Sequence, residues 1–112
     1  MTYRDEDRLE LILTLIGHLD RRLQGMARDQ FLADRDEIDL TAYRLSIIGE
    51  ACGKLSAGIR DRHSGIAWAD VVAMRNVITH DYNGIDAKLV WETLGHDLHA
   101  LAEVCRLELD QR

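Results

Sequence analysis

The sequence predicts an all-α protein, an up-and-down helical bundle of four to five helices. Three observations carry this. None of the 112 residues is proline, so no position forbids an internal helical hydrogen bond. Aromatic residues make up only 5% of the chain while Leu, Ile, Ala, Glu and Arg dominate, a composition that favours helix over strand. Apolar residues recur three and four positions apart along most of the length, as a helix with one buried face requires.

The first helix is expected from about Asp5 to Leu23, with Leu9, Ile12, Leu13, Ile16, Leu19 and Leu23 on one stripe. Leu11 and Leu15 fall off that stripe, so a subunit contact is expected on top of the core contact. Gly25 and the polar residues after it end the helix, and Asp29 is placed to cap a short second one through about Asp34. Asp39 is the candidate N-cap of a third helix running through Tyr43, Ile47, Ile48, Ala51, Cys52 and Leu55 and closing near Ser56 to Gly58. Inside it Gly49 costs about 1 kcal/mol relative to alanine, which close approach of another helix would justify. A basic turn, Gly58 to Gly65, leads into a fourth helix from about Trp68 to Asp81, stopped by Asn83-Gly84. The last helix is expected from about Asp86 to Leu109, with Trp91, Leu94, Leu98, Leu101, Cys105 and Leu109 on one side.

This length fits one domain over residues 1–112, able to fold without a metal or disulfide staple. The longest apolar run, Leu11 to Gly17, is far short of the roughly 20 residues of a membrane span, and no signal-peptide pattern opens the chain, so a cytoplasmic protein with no membrane partner is expected. Cys52 and Cys105 lack metal or redox spacing and read as buried reduced thiols. The net charge of −6 argues against a general nucleic-acid coating protein. That charge is unevenly spread. Residues 51–85 hold four basic groups (Lys54, Arg60, Arg62, Arg75) against three acidic ones (Asp61, Asp70, Asp81), a net +1 that leaves −7 for the rest.

This non-acidic segment contains Met74-Arg-Asn-Val-Ile-Thr-His-Asp-Tyr-Asn-Gly84, which gathers polar residues at the end of an otherwise apolar helix. At about 100° per residue Arg75 falls between Val71 and Val72, central on the apolar face. Asn76 and His80 share a neighbouring face, and Tyr82 would return to the face of Arg75. A buried unpaired guanidinium costs several kcal/mol, so Arg75 must find a carboxylate or line a cleft open to water or an anion. Spacing alone admits both. In the structural version Arg75 pairs with Glu50, His80 meets the helix dipole and Tyr82 packs. In the functional version the four residues line one site.

The wider pattern resembles the HepT-like branch of the HEPN superfamily. That family's motif, an arginine, four residues, a histidine, any residue and a tyrosine, stands here as Arg75, His80 and Tyr82, with the frequent polar residue after the arginine present as Asn76. Ile47-Ile-Gly-Glu-Ala51, Ile66-Ala-Trp68 and Val90-Trp91 also match, and the resemblance runs from about Leu9 to Leu107. Ala67 stands where a proline is common, which touches only the helix start.

The resemblance implies a homodimeric, metal-independent endoribonuclease toxin that needs no cofactor and is held inactive by a nucleotidyltransferase antitoxin. RNA carries its own nucleophile, so a base for the 2′-hydroxyl proton and a cation at the phosphate suffice. His80 suits the first role and Arg75 the second, making these the expected catalytic pair. Asn76 and Tyr82 would bind and orient the substrate, and Tyr82 would be the residue adenylylated by the antitoxin. The rival expectation is a non-catalytic helical dimer that binds nucleotide or docks the nucleotidyltransferase. A third is a bundle metal site on Glu92, His96, His99 and Glu103, although that stripe lies opposite Trp91 and Leu94 and is read as solvent-facing. His18 and His63 carry no expectation, and Arg60 and Arg62 either reach RNA phosphates or belong to a solvated turn.

Overall fold

A computed structural model describes residues 3–78, 84–95 and 98–112. Their helices are α1 (Tyr3–Leu23), α2 (Arg28–Leu32), α3 (Arg35–Gly53), α4 (Ala57–Arg62), α5 (Trp68–Ala73), α6 (Ala87–Leu94) and α7 (Leu98–Asp110), with a 3₁₀ segment, Met74–Val77, continuing α5. No strand occurs among the described residues, so the protein is an all-α bundle, as its composition predicts.

The expected first helix forms, and α1 packs between α3 and α7. Arg8 Nη1 donates to the Lys54 carbonyl at 2.8 Å and Arg22 Nε to Glu37 at 2.6 Å, so α1 and α3 run antiparallel. Arg112 near Glu6 and His99 near Asp20 set α7 antiparallel to α1 on its other side. Two neighbours explain the excess of apolar residues on α1. Leu15, expected to need a surface beyond the monomer, is buried inside the bundle, because the second apolar side of α1 is covered by helices of the same chain. Leu11 remains 42% exposed. Full burial of Leu9, Ile12, Leu45, Ile48, Phe31 and Ile59 stabilises the fold by about 1.5–3 kcal/mol per side chain.

Three boundaries differ from expectation for identifiable reasons. First, α2 starts two residues early, at Arg28, with Gln30 Oε1 accepting from the Ala27 N–H at 2.9 Å, so Asp29 lies inside the helix instead of capping it. Second, α3 is capped by Asp34 and not by Asp39: the Asp34 carboxylate accepts from the Glu37 N–H at 3.2 Å, while Asp39 sits one turn in and pairs with Arg35 at 3.3 Å. Third, the basic turn after α3 is itself helical as α4, seated by buried Ile59, and Ser56 ahead of it donates its N–H to the buried Asp5 carboxylate at 3.0 Å.

The predicted last helix is divided into α6 and α7. Thr93 Oγ1 donates to the Leu89 carbonyl at 2.7 Å, a back-bond that bends helices, and Gly95, a poor helix former, ends α6. Phe31 of α2 meets Trp91 of α6 with ring centroids 5.2 Å apart and tilted by 45°, anchoring α6 to the first half of the chain. Cys52 and Cys105 are buried free thiols, and burial pushes both above the usual thiol range, Cys105 up to about 12. No described helix is long and apolar enough to cross a membrane.

Candidate active site

The motif segment is positioned by α3. A Cβ built on Gly49 would stand 2.6 Å from the Arg75 backbone nitrogen and 3.0 Å from the carbonyls of Val71 and Val72. Only glycine admits that approach, which supplies the reason for an otherwise unfavourable residue in the middle of α3. Four residues on, Gly53 leaves room for the Val72 side chain. At its other end the segment is tied to α4, since Trp68 Nε1 donates to the carbonyls of Arg60 at 3.1 Å and His63 at 3.0 Å.

Within this frame the segment changes its winding. α5 gives way at Met74 to a 3₁₀ segment, and Ile78 is extended with φ −86° and ψ 120°. The expected helix to Asp81 therefore stops at Val77. Its β-branched residues, Val71, Val72, Val77 and Ile78, weaken helix propensity, and the close fit on Gly49 holds the tighter form. A 3₁₀ segment has three residues per turn, and Val71, Met74 and Val77, three apart, are buried.

The buried face, formed by Val71, Met74 and Val77 with Trp68 and Val72 only partly buried, corrects the expected position of Arg75. In place of the centre of the apolar face, Arg75 occupies the exposed side, as does Asn76. The expected structural pairing with Glu50 is also absent: Glu50 Oε1 lies 3.1 Å from Lys54 Nζ, one turn along the same helix. Among the described residues no carboxylate forms an ion pair with Arg75. Asn76 borders a groove of about 370 Å³ between the 3₁₀ segment and α6, floored by Met74, Val77 and Leu89 and edged by Asp70 and Glu92. His80 and Tyr82, the other two expected site residues, lie outside the described residues.

The second basic group of the segment has a different fate. Arg62 donates to Glu108, which is 2% exposed, and His63 Nε2 lies 3.3 Å from the other carboxylate oxygen. Arg62 holds the Glu108 carboxyl below the usual carboxylate range. Arg62 thus joins α4 to α7 while its side chain stays half exposed, and the turn expected around it is corrected to the helix α4. The buried Glu108 gave no sequence signal, because its partners come from a distant helix.

The stripe weighed as a metal site is split between α6 and α7. Glu92 is exposed, His99 is 83% exposed near Asp20, and Glu103 pairs with Arg106 at 3.3 Å, while His96 lies outside the described residues. Among the described residues no group of three or more His, Cys, Asp or Glu side chains could hold a metal ion.

The sequence that builds this arrangement matches the model of the Ribonuclease HepT-like family over residues 12–107. The chain belongs to this family, the HepT-like branch of the HEPN superfamily. It is 33% identical over 86 residues to a protein of Caldanaerobacter subterraneus subsp. tengcongensis named provisionally as an RNase, covering 77% of each chain. Against a Thermococcus cleftensis protein named as a probable ribonuclease HepT, identity is 28% over 96 residues, 86% of this chain and 87% of that one. A longer Methanocaldococcus jannaschii protein, named for both a gamma-glutamylcyclotransferase and an RNase, is 30% identical over 95 residues, of which this chain spans 43%. No solved structure matches the chain.

Proposed function

We propose that the protein is a metal-independent endoribonuclease that acts as the toxin of a toxin-antitoxin pair. The observation that carries this reading is Arg75. Its backbone is fixed against Gly49, its side chain is exposed, and no described carboxylate neutralises it. A permanent cation held this way in an acidic chain is available for a phosphodiester, and its forked donors fit two phosphate oxygens. His80, five positions on, supplies the base.

In the proposed reaction His80 removes the 2′-hydroxyl proton and the oxygen attacks the adjacent phosphorus, while Arg75 stabilises the charge that gathers on the phosphoryl oxygens. The leaving 5′-oxygen takes up a proton, so the products are a 2′,3′-cyclic phosphate and a 5′-hydroxyl. Asn76 orients the phosphate or the histidine. The protein acts in the cytoplasm as a homodimer whose contact includes the still exposed Leu11. Its partner is a nucleotidyltransferase antitoxin that transfers AMP from ATP to the Tyr82 hydroxyl with release of pyrophosphate. The attached group brings a phosphodiester charge and bulk to the place where Arg75 receives RNA.

Peptide mass spectrometry after co-expression with the cognate nucleotidyltransferase tests the regulatory part. One or more AMP units on Tyr82 are expected, and a neutralised complex with unmodified Tyr82 would mean inhibition by occlusion.

A further inference from the structure

A second basic site, absent from the sequence pattern, forms where α1 crosses α3. His18, Arg21 and Arg22 stand three and four positions apart on one side of α1, and antiparallel packing brings Arg44 of α3 beside them to line a cleft of about 270 Å³. Arg22 donates to Glu37 at 2.6 Å, with the Arg22 side chain still half exposed. Arg21 and Arg44 form no ion pair among the described residues. The Arg21 guanidinium lies back over Gly17, with Nη1 3.4 Å from where a Cβ would stand, so it lines the helix surface where a free side chain would extend into water.

With Arg22 paired to Glu37, Arg21 and Arg44 are the guanidinium groups at this small cleft that no described carboxylate neutralises, and in a chain of net charge −6 two such cations side by side call for an anion. The direction of the cleft is informative. At about 100° per residue the shorter arc of about 140° from Arg44 to Gly49, the residue that seats Arg75, holds the buried Thr41, Leu45, Ile48 and Cys52, so the exposed route between them runs about 220° around α3. Between the two, on the open side of α3, Tyr43 is 57% exposed. A cation, an exposed aromatic ring and a second group of cations follow one another around the same helix, the alternation that single-stranded nucleic acid uses for phosphates and bases.

We propose that the cleft formed by His18, Arg21, Arg22 and Arg44 holds a backbone phosphate of the RNA substrate away from the cleaved bond, with Tyr43 stacking a base on the way from Arg75. This rests on the ribonuclease reading and adds to it the substrate class: single-stranded RNA long enough to reach across α3.

The test pairs binding with kinetics in full-length protein. Binding of a labelled unstructured RNA to the His80→Ala protein is followed by fluorescence anisotropy over a range of salt, with and without Arg21→Gln and Arg44→Gln. Loss of that phosphate contact should weaken binding at least about tenfold at low salt and make the dependence of log K on log salt shallower by about 0.7, the value for one phosphate on a single strand. With His80 intact, the preference in kcat/KM for the long RNA over a dinucleotide should shrink in the same pair variant, and Tyr43→Ala should reduce it without changing the salt slope. An unchanged affinity and slope overturns the proposal. So does conversion of the dimer to monomers by the Gln pair in light scattering, which would make the cleft a contact between copies. If wild-type protein binds RNA with the expected slope but cleaves none, the ribonuclease reading fails and the cleft stands.

Discussion

Arg62 and Arg75 belong to the same non-acidic segment, and the fold treats them oppositely. Arg62 is bound to a buried carboxylate and joins α4 to α7. Arg75 is held only through its backbone, with its charge left to the solvent. In the first case the fold uses the charge for its own stability. In the second it spends packing precision on a cation that contributes nothing to the monomer core, an arrangement that fits the phosphate-binding role proposed for Arg75.

The largest effect that would disturb this contrast is expected from Gly49→Ala. The new Cβ would meet backbone atoms, which cannot rotate aside, so the overpacking penalty should reach the upper part of its usual range, about 3 kcal/mol, offset by at most about 1 kcal/mol of helix propensity. Denaturant unfolding should show the loss, and Arg75 should be displaced with it, so RNA cleavage should fall even where the variant is folded. Glu108→Gln comes next. It removes a charge-assisted bond to a half-exposed arginine, for a loss of about 2 kcal/mol. The wild-type contribution also has a defined pH sign: because the folded-state Glu108 carboxyl lies below its ordinary value of 4.5, the contribution is full above that value and is lost as pH falls through the lower one. Unfolding curves across acid pH should show this segment in the wild type and lack it in Glu108→Gln. The smallest effect is expected from Arg75→Ala, which should change stability by no more than about 0.5 kcal/mol, as for an exposed side chain without a partner. A larger loss would mean that Arg75 is structural after all.

How far the sequence reached follows from the length scale of each signal. The long stripe of α1, from Leu9 to Leu19, and the need for a close neighbour at Gly49 were both legible, because helical periodicity and glycine placement are local. The winding at Met74 was not. Helical steps of about 100° and 3₁₀ steps of about 120° shift Arg75 by only about 20–40°; the larger difference is the buried face, which Val71, Met74 and Val77 form while Trp68 and Val72 are only partly buried. The start of α3 was misread between two aspartates, although Asp34 with Glu37 three positions later carries the capping-box spacing. The clefts and pairs that join distant helices, Arg62 with Glu108 and Arg21 with Arg44, had no sequence signal, since their proximity exists only once α1, α3, α4 and α7 are packed. Membership of the HepT-like family was legible from Arg75, His80 and Tyr82 with the surrounding matches, and the family comparison bears it out.

The central claim, that Arg75 and His80 cleave RNA without a metal, is tested most directly by incubating purified wild type, Arg75→Ala and His80→Ala with RNA in the presence of EDTA and analysing the ends of the products. Wild type should cleave undiminished by the chelator and leave 2′,3′-cyclic phosphate and 5′-hydroxyl ends, with each variant slower by roughly 10² to 10⁴ while remaining folded. Undiminished cleavage by both variants, or loss of wild-type activity in EDTA, would contradict it.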